Sequence, residues 1–189
     1  MSHLEQFVID AIKTESKIDS IVVNEKLLLE TISVLVHAGN ILDQIKKNVF
    51  YGKPYNVEDF LQHNVSLGYA IRELSGIPLC DIDDDKKTLN INPRIFHSIV
   101  GIATESTELL EALDISGENM DNINIAEEFG DIDWYKAIGV DELNINWVTI
   151  LDTVIAKLKA RYPDKFTSAD AIERNLEAER AILNKMVNE

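Results

Sequence analysis

Apolar side chains recur along this chain at steps of three and four residues, which is the spacing of an amphipathic helix. Between residues 24 and 50 the pattern runs through Leu27, Val34, Ala38, Ile41 and Ile45. The 189 residues include only 8 Gly and 4 Pro, too few for the many turns of an all-β fold. The sequence therefore predicts an all-α fold, a helical bundle that forms one domain over residues 1–189.

The periodic segments and the residues between them give the helix boundaries. Helices are predicted over residues 24–50, 57–76, 93–113, 123–138, 142–161 and 169–186. Asn24 is the expected N-cap of the first, Pro93 suits a first helical turn, and Thr167 or Ser168 caps the last. Residues 78–93 lose the periodicity and predict an acidic connecting loop with room for a short extended piece. The helices over 93–113 and 123–138, joined by a turn at 116–119, are expected to pack antiparallel.

The charge balance narrows the range of partners. Eighteen Lys and Arg face 33 Asp and Glu, for a net charge of −15, which disfavours binding to nucleic acid or to an anionic membrane surface. Cys80, the one cysteine, has no partner in the chain for a disulfide or a Cys-pair zinc site. No secretory signal and no apolar run of about 18 residues is found. We therefore expect a soluble protein in the reducing cytoplasm.

Acidic residues of one sign dominate the segment from 105 to 133, which holds ten Asp and Glu and no Lys or Arg. Two pairs have three-residue spacing, Glu108 with Glu111 and Glu128 with Asp131, so each pair projects from one face of a predicted helix. Packing of the two helices would bring these four carboxylates together. Hard oxygen ligands at such density suit Mg²⁺, with Mn²⁺ as the alternative. A metal site between the two helices is therefore predicted.

Other readings of the acidic segment stay open. Any single acid can belong to an ordinary solvated helix face. Glu105 and Glu127 lie beside the four predicted ligands and are candidates for a general base or for a supporting group. No histidine follows His97, so a site with imidazole ligands is not expected here.

The acidic pattern resembles the signature of the MazG-like all-α nucleoside triphosphate pyrophosphohydrolases. The similarity lies in Glu108-x-x-Glu111, followed by the run from Ala126 to Tyr135, and extends to residues 39–53 and 157–166, which are similar to the phage and bacterial branch. The resemblance implies Mg²⁺-dependent cleavage of an NTP or dNTP to the monophosphate and pyrophosphate. It also implies a homodimer or homotetramer in a bacterial or phage-infected cell. Val154 departs from the pattern, because relatives often carry Asn three residues before the lysine that matches Lys157.

Basic residues that could bind the phosphates fall in two clusters. Lys157 and Arg161 are four residues apart on one predicted helix, and Lys46 and Lys53 lie in a stretch without acids between them. The alternative is that these are solubilising residues near helix ends. Aromatic residues such as Trp134 could stack on a base, although their helical spacing also suits a core.

The predicted mechanism follows from these assignments. Glu108, Glu111, Glu128 and Asp131 would bind Mg²⁺, Glu105 or Glu127 would accept a proton from the attacking water, and Lys157 or Arg161 would hold the leaving pyrophosphate. Two rivals remain. The chain could hydrolyse another nucleotide, such as dUTP, dUDP or phosphoribosyl-ATP, or it could be a non-catalytic acidic helical interaction module.

Overall fold

The protein is described by a computed structural model that covers residues 1–78, 83 and 85–187. Most of this chain is helical, which confirms the all-α fold class, and no described helix has both the length and the apolar character needed to cross a membrane. The elements, in chain order, are α1 His3–Ala11, β1 Ile21–Asn24, α2 Glu25–Tyr51, α3 Val57–Ser75, β2 Lys86–Leu89, α4 Pro93–Glu111, α5 Asn122–Glu142, α6 Trp147–Arg161, α7 Ser168–Ile172, α8 Leu176–Leu183 and a 3₁₀ turn at Asn184–Val187.

Contacts divide the chain into two compact units. The first unit comprises Met1–Ile21, Asn90–Lys157 and Arg180–Glu189. The second unit comprises Val22–Leu89 and Leu158–Glu179. A single domain over residues 1–189 stays a prediction.

In the first unit, α1 packs on α5 and α4 packs along α5. The centre of the apolar core consists of the buried residues Ala11, Ala137 and Trp147, one from each of α1, α5 and α6. A capping box fixes the start of α1, because Ser2 accepts a hydrogen bond from the backbone of Glu5 and the Glu5 side chain accepts one in return. The α4–α5 pair therefore rests on a third helix that the sequence analysis did not predict.

The second unit is organised around the hairpin of α2 and α3. Asn24 caps α2 as predicted, Gly52 ends it with a left-handed φ of 66°, and Asn56 caps α3. Between the two helices, the Nδ1 atoms of His37 and His63 lie 3.0 Å apart. Strand β2 pairs with β1 and supplies the short extended piece expected before α4. Residues 79–82 and 84 of the predicted acidic loop lie outside the described residues.

Two helix boundaries differ from the predictions. Helix α5 continues to Glu142 because Gly139 is a packing position against α4 and not a helix stop, and α6 accordingly starts at Trp147. The predicted helix over 169–186 is interrupted after Ile172, and Asn175 caps the new start by accepting from the backbone N–H of Ala178. Thr167 caps α7 as expected.

Candidate metal centre

Small residues bring α4 and α5 into close contact. A Cβ atom at Gly101 would lie 2.1 Å from Cδ1 of Tyr135, and one at Gly139 would lie 2.4 Å from Oγ of Ser98. Both glycines are buried, so only the missing side chains allow this approach. Residue numbers rise along α4 as they fall along α5 in these contacts, which confirms that the two helices are antiparallel.

Caps at the start of each helix hold this register in place. Asn92 caps α4 by accepting from the backbone N–H groups of Arg94 and Ile95, and Pro93 occupies the first turn. Asp121 caps α5 in the same way. In the loop between the helices, Asp114 accepts hydrogen bonds from Ser116 and from the backbone of Asn119. Two of the ten acids in the segment therefore stabilise the loop and the helix start.

One to two turns along α4 beyond Gly101, three carboxylates converge. Glu105 and Glu108 of α4 and Glu128 of α5 each place an oxygen within 4.8 Å of the other two. Glu105 is half-buried, Glu108 is exposed and Glu128 is only 5% exposed. We refer to these three residues as the carboxylate cluster. Its spacing allows one divalent cation to contact all three side chains.

Glu128 has the least favourable surroundings for a negative charge. Its buried Oε2 atom has no hydrogen-bond partner among the described residues. Burial is the largest of the causes that together raise the pKa of Glu128 to about 7, and the others are a shared hydrogen bond with Glu105 and the charges of Glu108, Glu105 and Asp131. Near neutral pH this carboxylate therefore needs a proton or a cation beside it.

Asp131 and Tyr135 lie along the same face of α5. Asp131 is exposed, and its charge acts on both Glu128 and Tyr135. Burial raises the pKa of Tyr135, and the charges of Glu105, Asp131 and Glu108 raise it further. Tyr135 therefore borders the carboxylate cluster on one side and contacts Gly101 on the other.

The remaining predicted acids occupy different positions. Glu111 is the last residue of α4, is exposed, and does not belong to the carboxylate cluster. Glu127 is exposed on α5. The structure thus brings together two of the four predicted ligands, Glu108 and Glu128, with Glu105 as the third member and Asp131 close enough to act electrostatically.

The predicted phosphate-binding residues are divided between the two units. Lys157 is half-buried on α6 in the first unit. In the second unit, both oxygens of the buried Glu179 accept hydrogen bonds from Arg161, at 2.8 and 2.6 Å. Lys46 lies 2.5 Å from Asp43, and the carbonyl of Lys53 accepts from the side chain of Asn48. Arg161 and Lys46 therefore already have anionic partners within their own unit.

An ion network near the start of α4 was missed by the sequence analysis. Arg94 donates to both carboxylate oxygens of Glu15 at 2.8 Å, and it also pairs with Asp141 and Glu142. The Glu15 side chain is fully buried. Seventy-nine residues separate Glu15 from Arg94, so no local spacing could have identified the pair.

The predicted stacking residue Trp134 is packed within the first unit. Its Nε1 donates to Thr14 at 2.9 Å, and its ring meets the rings of His97 and Tyr135 edge to face.

Comparisons of the chain with known protein families, curated proteins and solved structures found no match. Any functional assignment therefore depends on the residues and geometry described above.

Proposed function

We propose that this chain is a Mg²⁺-dependent nucleoside triphosphate pyrophosphohydrolase of the MazG-like kind. The observation that carries the proposal is the carboxylate cluster, which includes the buried and unpartnered oxygen of Glu128. A buried carboxylate oxygen without a hydrogen-bond donor is destabilising unless a cation or a proton compensates it. A solvated acidic face, as in a non-catalytic interaction module, gives no reason to bury this oxygen.

The donor set suits a hard divalent cation. All three groups are carboxylates, and no histidine or cysteine among the described residues joins them in the cluster, which favours Mg²⁺ or Mn²⁺ over zinc. Glu105, Glu108 and Glu128 would hold the ion, and Asp131 adds negative charge beside them. Bound Mg²⁺ would supply Lewis-acid assistance to a phosphate oxygen and to the attacking water.

The proposed reaction is attack of water on the α-phosphorus of the triphosphate. A bond forms between the water oxygen and the α-phosphorus, the bond from that phosphorus to the bridging oxygen breaks, and pyrophosphate leaves. The exposed carboxylate of Glu127 is the proposed acceptor of the proton from water. Lys157 is the proposed contact for the leaving pyrophosphate, since Arg161 is already bound to Glu179. Roles for Lys46, Lys53 and Glu111 stay predictions from the sequence.

A second copy of the chain is the proposed partner. None of the 27 residues of α2 is buried, and the helix exposes Leu29, Val36, Val49 and Phe50. Helix α3 likewise exposes Val57, Leu61, Val65 and Tyr69. Apolar surface of this extent is typical of a protein interface. Light scattering of the purified protein should give the mass of a dimer or tetramer, and a monomer would contradict this assignment.

The reaction is tested by measuring pyrophosphate release from the eight common NTPs and dNTPs with Mg²⁺, with chromatography of the nucleotide product. We expect a monophosphate and pyrophosphate from at least one substrate and loss of turnover in Glu128→Gln. Glu118→Gln is the matched control, because Glu118 is an exposed acid of the loop between α4 and α5 and lies outside the cluster. Hydrolysis of only dUTP, dUDP or phosphoribosyl-ATP would narrow the substrate. Cation binding without any turnover would favour the interaction module.

A further inference from the structure

A cavity of about 280 Å³ lies in the first unit beside α4. Phe96, His97, Val100 and Thr104 of α4 line one side, and Tyr135 of α5 lines another. Ile18, in the segment between α1 and β1, contributes to the wall. The mechanism proposed above assigns no role to this space.

The cavity and the carboxylate cluster share a boundary. Tyr135 lines the cavity, and the charges of Glu105 and Glu108 act on its hydroxyl group. Thr104 also lines the cavity and directly precedes Glu105 on α4. A ligand that enters the cavity therefore lies one side chain away from the candidate cation site.

The walls are suited to an uncharged, flat group. Aromatic rings, an imidazole and aliphatic side chains form most of the surface. The half-buried Arg94 and the buried Glu15 in the wall are already paired, because Arg94 donates to both oxygens of Glu15 and also pairs with Asp141 and Glu142. Lys17 also lines the cavity, but its side chain is largely in solvent, with Nζ 3.9 Å from Glu15. The cavity thus offers stacking and apolar contact rather than a site for a second charge.

We infer that this cavity binds the base and sugar of a nucleotide whose phosphates lie at the carboxylate cluster. The inference rests on the proposed function and adds the location of the nucleoside subsite. Pockets that enclose a whole drug-sized ligand begin at about 300 Å³, so 280 Å³ suits one part of a nucleotide and leaves the phosphates outside. His97 and Tyr135, whose ring centroids are 5.4 Å apart, form the aromatic wall.

The test fills the cavity and measures binding without relying on turnover. Val100→Phe places a ring in the cavity from α4. Ile99→Phe is the control, because Ile99 is the preceding residue of the same helix, is exposed and does not line the cavity. The probes are AMP, GMP, CMP, UMP and dTMP, measured by calorimetry in excess Mg²⁺, and pyrophosphate, which lacks a base. A separate Mn²⁺ titration reports on the carboxylate cluster.

We expect Val100→Phe to weaken the best-bound monophosphate by about tenfold or more. Its affinities for pyrophosphate and Mn²⁺ should stay unchanged, and Ile99→Phe should match the wild type with every probe. Thr104→Phe, at the exposed rim, should cause the same loss and provides the test if Val100→Phe does not fold.

Wild-type affinity for monophosphates in both cavity variants would overturn the inference, as would a wild-type protein that binds Mn²⁺ but no monophosphate. Monophosphate binding that Val100→Phe abolishes, in a protein that hydrolyses no triphosphate, would support the cavity assignment while contradicting the proposed function.

Discussion

Replacing Glu128 by Gln should make the protein at least as stable as the wild type without a divalent cation and less stable than the wild type with one. In the absence of a cation, the wild-type chain buries a carboxylate oxygen without a hydrogen-bond partner and sets it against Glu105 and Glu108. The amide of Gln has nearly the same shape, carries no charge, and can donate to the neighbouring carboxylates. The substitution therefore removes repulsion and burial of charge, and the variant in EDTA should unfold at the same or a higher temperature than the wild type.

With a cation the order should be inverted. A cation at 100 times its Kd stabilises a folded protein by about 2.7 kcal/mol. For a chain of this length, 1 kcal/mol corresponds to roughly 2–4 °C in Tm, so saturating Mn²⁺ should raise the wild-type Tm by roughly 5–11 °C. Glu128→Gln loses the buried carboxylate of the cluster and should show less than a third of that increase.

The assay is thermal unfolding followed by circular dichroism, with EDTA and with increasing Mn²⁺ or Mg²⁺, at a pH above the raised pKa of Glu128. Glu118→Gln removes the same charge from the exposed loop between α4 and α5 and should respond to the cation as the wild type does. A variant that is clearly less stable than the wild type in EDTA, or that keeps the full stabilisation by Mn²⁺, would refute the reasoning.

Two further predictions concern packing and pH. Gly101→Ala must push Tyr135 away, which should destabilise the fold by about 1–3 kcal/mol and weaken Mn²⁺ binding. Gly130→Ala is the control, because Gly130 lies on α5 with open space around it. That variant should be neutral or stabilising by up to about 1 kcal/mol in EDTA. Glu179→Gln should destabilise the protein by roughly 3 kcal/mol at pH 7 in denaturant titrations. Arg161 and, to a lesser extent, Arg174 lower the pKa of Glu179 to about 2. The carboxylate therefore stabilises the fold fully above pH 4.5, and the difference between wild type and variant should be lost as the pH falls through 2.

Helical periodicity and capping residues predicted much of the fold. The start of α2 at Asn24, the start of α4 at Pro93 and the cap at Thr167 could be identified because each depends on residues that are adjacent in sequence. The boundary between α5 and α6 could not be identified in this way. A glycine often ends a helix, but Gly139 lies within α5, where the contact with Ser98 requires it. Long-range pairs such as Glu15 with Arg94 leave no local pattern at all.

The site illustrates a different limit of sequence reasoning. Glu105, Glu108 and Glu111 succeed one another at three-residue steps, so helical spacing alone offers two equivalent pairs of ligands on α4. The choice between them depends on the register of α4 against α5, which the close contact of Gly101 with Tyr135 determines. One to two turns from that contact, α4 presents Glu105 and Glu108 to Glu128, and Glu111 lies at the helix end. A mid-helix glycine is destabilising by itself and therefore indicates a close approach of two backbones. Once the contact between Gly101 and Tyr135 is known, it fixes the register of α4 against α5. The residues that face each other across the two helices can then be found by counting helical turns from this contact.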